Sequence, residues 1–168
     1  LSKLVGELLA FSRADMRSKA VELESIGLLS VVQTAVKREV TPTAKIITEI
    51  DPEIRVMASS ELLTRALSNL VRNAVKYAGA AGPIVVSALK RKDVVEIAVQ
   101  DKGAGVPEDL LDQLFEPFFR PEPSRDRDSG GVGLGLAIVK TCVEACNGTV
   151  SAANRQSGGF KVTIILKA

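Results

Sequence analysis

At 168 residues, with 46% apolar and 25% charged side chains, the chain has the composition of one globular domain, which excludes a disordered tail or a low-complexity linker. A net charge of +2 and an aromatic content of 4% speak against a nucleic-acid surface, whether a basic phosphate track or a base-stacking platform. Histidine is absent, which removes the usual base of Ser-His-Asp and Cys-His hydrolases and the commonest zinc ligand.

Leu1–Arg17 is amphipathic, with Leu1, Leu4, Val5, Leu8 and Leu9 in a heptad-like pattern. It is too short to be stable alone, and it reads as the end of a helix begun upstream and packed on a partner. The chain opens directly in this pattern without a methionine, which points to a piece of something longer. There is no signal-peptide pattern and no apolar run long enough for a membrane span. Val21 and Leu23 alternate with Glu22 and Glu24 and predict a strand over Ala20–Ile26. Helical periodicity over Gly27–Val40 follows, through Leu28, Leu29, Val32, Ala35 and Val36, until Pro42. Lys45–Ile50 and Ile54–Ala58 read as short strands parted by Asp51-Pro52.

Glu61–Tyr77 is the most strongly patterned stretch. Ser59 or Ser60 can cap it, and no Gly or Pro interrupts it before Gly79. Two β-rich runs follow, Ile84–Lys90 and Val94–Gln100, with Arg91–Asp93 as a hairpin turn, then a short helix ending near Leu114. Phe115–Gly131 is irregular, carrying Pro117, Pro121, Pro123 and the charged run Arg125–Asp128. A helix over Leu134–Asn147 is stopped by Gly148, and strands Thr149–Ala153 and Phe160–Leu166 are joined by a Ser157-Gly158-Gly159 turn. Strands grouped in hairpins, with helices between the groups, predict an α+β two-layer sandwich: one mixed, mostly antiparallel sheet backed by about three helices. Cys142 and Cys146, four apart on one helix, are poorly placed for a disulfide and read as small buried hydrophobes in a reducing compartment.

Four stretches carry the chemistry. On the helix Glu61–Tyr77, Leu63, Ala66, Leu67, Leu70 and Ala74 form an apolar stripe, and beside it Asn69, Asn73, Lys76 and Tyr77 share a second face. Asparagine is a mediocre helix former, so two of them one turn apart call for a reason. Taken alone, that face fits two solvated amides and a lysine as well as it fits amide oxygens for a hard cation and an ammonium for phosphate. Asp101-Lys-Gly103-Ala-Gly105 puts a carboxylate at a strand end beside glycines, where it is either an Asp-led turn or an acceptor for an exocyclic amine. The third stretch is Phe115-Glu-Pro-Phe118-Phe119-Arg120. The fourth, Gly130–Gly135, leads into a helix whose positive end favours an anion. It lacks the Gly-Lys-Ser/Thr ending of a P-loop and the spacing of a dinucleotide-binding turn.

In that order the four stretches resemble the N box, first glycine box, F box and second glycine box of the ATP-binding catalytic domain of bacterial sensor histidine kinases. The resemblance runs from about Val21 to the end. Leu1–Arg17 resembles the close of the second dimerisation helix of such kinases, which divides the chain into 1–17 and a catalytic domain over 18–168. The run Phe118–Lys140 is especially similar to envelope-stress sensor kinases of the Cpx type. The family's fold is the Bergerat ATP-binding sandwich.

The resemblance implies ATP and Mg²⁺ as cofactors, and a γ-phosphoryl group passed to a histidine on the first dimerisation helix. Asn73 and Asn69 would hold the metal, Lys76 would pair with phosphate and Tyr77 would flank the nucleotide. Asp101 would accept the adenine amino group, with Gly103, Gly105 and Val106 shaping that wall. Gly131, Val132, Gly133, Leu134, Gly135 and Leu136 would line the triphosphate. Phe115–Val132 would form a mobile lid with Phe118 and Phe119 as its apolar latch. Arg120, Arg125 or Arg127 could reach the γ-phosphate, and a solvated charged loop accounts for them equally well. Gyrase-, chaperone- and mismatch-repair-type ATPases of this fold carry a glutamate base where Asn69 stands, and an amide cannot take a proton from water.

Partners implied are the protein's own dimerisation and phosphoacceptor domain in a homodimer and a response regulator, with no nucleic acid and no membrane contact by this part. The setting implied is the cytoplasmic side of an inner-membrane sensor. The 168 residues contain no histidine, so the acceptor has to come from elsewhere. An anti-sigma type serine kinase and a non-catalytic nucleotide sensor are the alternatives. The dimerisation-like helix stands against the first, and the intact Asn, Lys and Asp set against the second.

Overall fold

In the computed structural model, residues 21–121 and 132–168 are described. Strand β1 (Glu24–Gly27) runs into helix α1 (Leu28–Glu39), followed by β2 (Ile46–Glu49), β3 (Arg55–Ala58) and helix α2 (Ser60–Ala78). The hairpin β4 (Ile84–Arg91) and β5 (Val94–Gln100) comes next, then a 3₁₀ turn over Glu108–Gln113, helix α3 (Gly135–Ala145), β6 (Thr149–Asn154) and β7 (Phe160–Lys167).

Five strands form one sheet in the order β2-β4-β5-β7-β6, parallel only between β2 and β4. Thus the mixed, mostly antiparallel sandwich expected from the strand grouping is present. Register follows the apolar alternation: Ala88, Ile97, Ile164 and Val150 face one another across four strands, and Val86, Val99, Val162 and Ala152 make the next row. That face carries the core, since Val86, Val95, Ile97, Ile164 and Leu166 are at most 1% exposed. The helices cover it. Leu28, Val31, Val32 and Ala35 turn inward from α1, and Ala137, Ile138, Val139, Cys142 and Val143 from α3. The stripe Leu63, Ala66, Leu67, Leu70 and Ala74 of α2 is wholly buried, as its period requires.

Several boundaries differ from the sequence expectation. Among the described residues, the strand predicted over Ala20–Ile26 begins at Glu24, where its four-residue antiparallel pairing with β3 starts. The hairpin turn is the pair Lys92-Asp93, closed by Arg91 opposite Val94, with Lys92 at φ 48°. The short helix after Pro107 is a 3₁₀ turn. At the end of α3 the left-handed residue is Asn147 (φ 57°), not Gly148. Gly148 serves close approach instead: a Cβ there would lie 2.6 Å from the Ile165 carbonyl oxygen. The dimerisation-like stretch 1–17, and with it the 17/18 boundary, lies outside the described residues.

Candidate functional site

Helix α2 is held at its start by Ser59, whose Oγ accepts from the Leu62 N–H at 3.4 Å. Its second face is graded in exposure: Asn69 is buried, Asn73 half-buried, Lys76 and Tyr77 exposed. The Asn69 Nδ2 donates to the Arg65 carbonyl at 2.9 Å, which commits the nitrogen end to the helix and leaves Oδ1 as the outward atom. The Lys76 ammonium sits 4.9 Å from the Tyr77 ring centroid, a cation–π pair at the surface.

The start of α3 abuts these amides. A Cβ on Gly135 would lie 3.5 Å from both amide atoms of Asn73 and 3.7 Å from Asn69 Oδ1. The N-cap residue Leu134 is fully buried and offers no side-chain acceptor, so the first-turn N–H groups of α3 are left for an anion or water. Amide oxygens and a helix N-terminus therefore meet at one place. Among the described residues no group of three or more Cys, Asp or Glu could hold a metal. The donor set is instead two amides, which fits a cation that completes its shell with water and phosphate oxygens, as Mg²⁺ does.

Asp101 forms a second wall. It is 7% exposed, and its Oδ1 accepts from two backbone donors, Gly103 N–H at 2.9 Å and Phe160 N–H at 3.1 Å. Oδ2 accepts no hydrogen bond among the described residues. Gly103 brings this wall against the end of α2, since a Cβ there would lie 2.8 Å from the Ala78 Cβ and 3.4 Å from the Tyr77 carbonyl oxygen. Gly105 (φ 76°) and Val106 run on beside Asn154, whose Oδ1 accepts from Val106 N–H at 2.9 Å.

The third meeting point joins the phenylalanine stretch to the second glycine run. Phe118 N–H donates to the Gly133 carbonyl at 2.9 Å, and Phe118 takes a left-handed φ of 66°. Gly133 is itself at φ 82°, with no room for a Cβ against Phe118 and Phe119. Phe118 is exposed, Phe119, Val132 and Leu136 are half-buried, and Arg120 is half-buried and already engaged. Gly131, Arg125 and Arg127 lie outside the described residues.

Away from these contacts, Cys142 and Cys146 are buried, and burial pushes the Cys142 thiol up to about 11 and the Cys146 thiol upward as well. They are packing groups, as their spacing suggested. Sequence reasoning passed over Asn154, at the end of β6, and Arg155, in the turn after it, which contact the Asp101 wall. The paired Gly158-Gly159 was the one signal that something approaches closely there.

The family of histidine kinase-, DNA gyrase B- and HSP90-like ATPases matches residues 58–168. The chain belongs to that family. Among its relatives are the sensor-like histidine kinase SenX3 of Mycolicibacterium smegmatis, 34% identical over 98% of this chain and 44% of the relative. BaeS of Escherichia coli is 34% identical over 99% of this chain and 36% of its own length, and CpxA of the same organism 34% over 99% and 37%. The chain thus spans less than half the length of these curated relatives. The Cpx-type likeness is real, but it is shared equally with the other two.

Solved structures agree. The mycobacterial sensor histidine kinase MprB superposes with a TM-score of 0.73 at 27% identity, covering 86% of this chain and 97% of that one. Full-length ShkA in complex with AMPPNP superposes with a TM-score of 0.81 at 26% identity, covering 98% of this chain and 35% of ShkA. The fold is that of histidine kinase nucleotide-binding domains. Among the described residues no helix is long and apolar enough to cross a membrane.

Proposed function

We propose that this chain is the ATP-binding catalytic domain of a sensor histidine kinase, over about residues 18–168, and that residues 1–17 close a dimerisation helix. It binds Mg-ATP and passes the γ-phosphoryl group to a histidine on a dimerisation domain, for relay to a response regulator. Its setting is the cytoplasmic side of an inner-membrane sensor that works as a homodimer. The observation that carries this reading is the convergence of Gly135 on Asn69 and Asn73, on the helix whose end meets the Asp101 wall, with an Asp101 Oδ2 that accepts no hydrogen bond among the described residues. The AMPPNP of the ShkA complex supports the same occupant.

In this reading Asp101 Oδ2 accepts the adenine amino group, and the glycines at 103 and 105 let the backbone approach the ring. Asn69 and Asn73 supply amide oxygens to Mg²⁺, whose charge offsets that of the phosphates. Lys76 adds a positive charge on the same side, and the N-terminus of α3, with Gly133, Leu134, Gly135 and Leu136, receives phosphate oxygens. Gly131 and Val132 extend that lining, and Phe119 and Arg120 close over it. Tyr77 flanks the nucleotide. An acceptor imidazole nitrogen attacks the γ-phosphorus, the bond to the β,γ-bridging oxygen breaks, and ADP leaves. Asn69 stands where hydrolysing ATPases of this fold carry a glutamate base, and an amide there cannot take a proton from water, so ATP is held for the histidine.

Calorimetric titration of ATP with and without Mg²⁺ tests the site. Asp101→Ala should abolish binding under both conditions, and Asn73→Ala should remove mainly the part that depends on Mg²⁺. A parent chain that binds no ATP, or binding indifferent to both changes, overturns the assignment.

A further inference from the structure

We infer that Asn154, at the end of β6, and Arg155, at the start of the turn to β7, are positioning residues for the nucleotide base. They fix the backbone of the Asp101–Val106 wall from a part of the chain about fifty residues away. The inference rests on the reading of Asp101 as the base acceptor.

Residues 101–107 belong to no helix or strand, so their backbone polar groups have no ladder to satisfy them. The end of β6, the turn after it and the start of β7 supply the partners instead. Asp101 N–H donates to the Phe160 carbonyl at 3.0 Å, and Arg155 Nη1 donates to the Asp101 carbonyl at 2.7 Å. Asn154 pairs with both polar groups of Val106 at once: Oδ1 accepts from its N–H at 2.9 Å, and Nδ2 donates to its carbonyl at 2.6 Å. The same Nδ2 donates to Glu108 Oε1 at 2.8 Å, which fixes which end of the amide is nitrogen.

This two-pronged contact imitates a neighbouring strand with one side chain. A carboxylate cannot donate, and a single hydroxyl cannot reach both groups. Two glycines let the surfaces close: Gly105, where a Cβ would fall 2.5 Å from Asn154 Oδ1, and Gly159, which has no room for a Cβ against the Asp101 carbonyl. Phe160 N–H then holds Asp101 Oδ1 in place. The direction in which Oδ2 points is therefore set by the turn as much as by the Asp-Gly motif. A displacement of that carboxylate weakens recognition of the adenine amine without touching the phosphate end.

The test measures ATP and GTP by displacement of a fluorescent ATP analogue from the whole chain with Mg²⁺ present, alongside thermal melting. Asn154→Ala should weaken ATP at least fivefold and leave GTP within twofold, so that preference for ATP falls. Asn154→Asp should weaken ATP further, because a carboxylate then faces both the Val106 carbonyl and Glu108. Adding Glu108→Gln should restore part of that loss, which a general loss of stability does not predict. Arg155→Ala provides a second, independent variant should Asn154→Ala not fold, and it should lower ATP preference in the same direction.

Folded variants at both positions with the parent's ATP affinity and preference overturn the inference, even with a lowered melting point. A parent that does not bind ATP, or whose preference survives Asp101→Ala, brings down the underlying site assignment as well. That pattern is distinct from an Asp101-dependent preference that Asn154 and Arg155 leave untouched.

Discussion

Gly133 and Gly158 are both left-handed glycines, at φ 82° and 86°, yet they answer different demands. At Gly158 nothing lies within 4 Å of where a Cβ would stand, so only backbone strain opposes a side chain. At Gly133 a Cβ would fall 2.8 Å from the Phe118 carbonyl carbon and from the Phe119 carbonyl oxygen, both backbone atoms that cannot swing away. Gly158→Ala should therefore lower stability by about 1–2 kcal/mol, the strain of a left-handed residue, with ATP affinity unchanged. Gly133→Ala adds displacement of the phenylalanine stretch and should lose ATP affinity at least tenfold besides the drop in stability. Denaturant melts paired with ATP titrations separate the two, and equal ATP affinity in both variants contradicts the assignment of Gly133 to the phosphate lining. At this scale the sequence made Asn69, Asn73 and Asp101 legible, because each breaks a local habit: amides inside a helix, a carboxylate closing a strand. Asn154 breaks none. An asparagine where a strand runs into a turn is ordinary, and its contact with Val106 exists only once β6 is paired with β7, and β7 with β5.

Elements were legible in proportion to the strength of their own period. Helix α2 has a cap, a continuous apolar stripe and a glycine stop, and it lies within about a residue of its expected limits. Strand β1 has only two alternating apolar residues, and its length is decided by β3, a partner that local pattern does not specify. The β4–β5 hairpin closes on two residues where a glycine is the usual solution, but lysine occupies the left-handed position at φ 48°. The Asp93 carbonyl of that turn also accepts from the Ala168 N–H at 2.8 Å, so the hairpin tip anchors the end of β7. Lys92→Gly removes the clash of Cβ with its own backbone and should stabilise the domain by about 1 kcal/mol, less the entropy glycine restores to the unfolded chain. The expected result is a higher urea midpoint at unchanged slope. A lower midpoint would mean that the lysine side chain contributes more on the sheet surface than its backbone strain takes away.

For the whole molecule, the fold brings both glycine stretches against α2, Gly103 at its end and Gly135 at Asn69 and Asn73, although Asn69 and Gly135 are 66 positions apart. The strand and helix grouping announced a two-layer sandwich, but not which strand pairs with which; the parallel β2–β4 pairing depends on how the helices pack over the sheet. The packing of α3 on α2 has a thermodynamic signature of its own. Cys142 is completely buried on α3, and burial moves its thiol from 9.0 to about 11. Below pH 9 the thiol is neutral in both states and contributes nothing to the pH dependence. Between pH 9 and 11 the unfolded chain releases the proton and the folded chain keeps it, so the unfolded state binds fewer protons and stability falls as pH rises. The displacement of the thiol corresponds to a loss of up to about 3 kcal/mol across that window. Cys146, raised in the same way, acts in the same direction. The decisive comparison is between parent and Cys142→Ala in urea at pH 8, 9, 10 and 11, which cancels every group the two proteins share. The variant should be less stable at pH 8, from the lost sulfur packing, and should lose less stability on going to pH 11. Parallel pH profiles for the two proteins would mean that the α2–α3 contact opens to water before the thiol ionises, and that burial of Cys142 does not survive above pH 9.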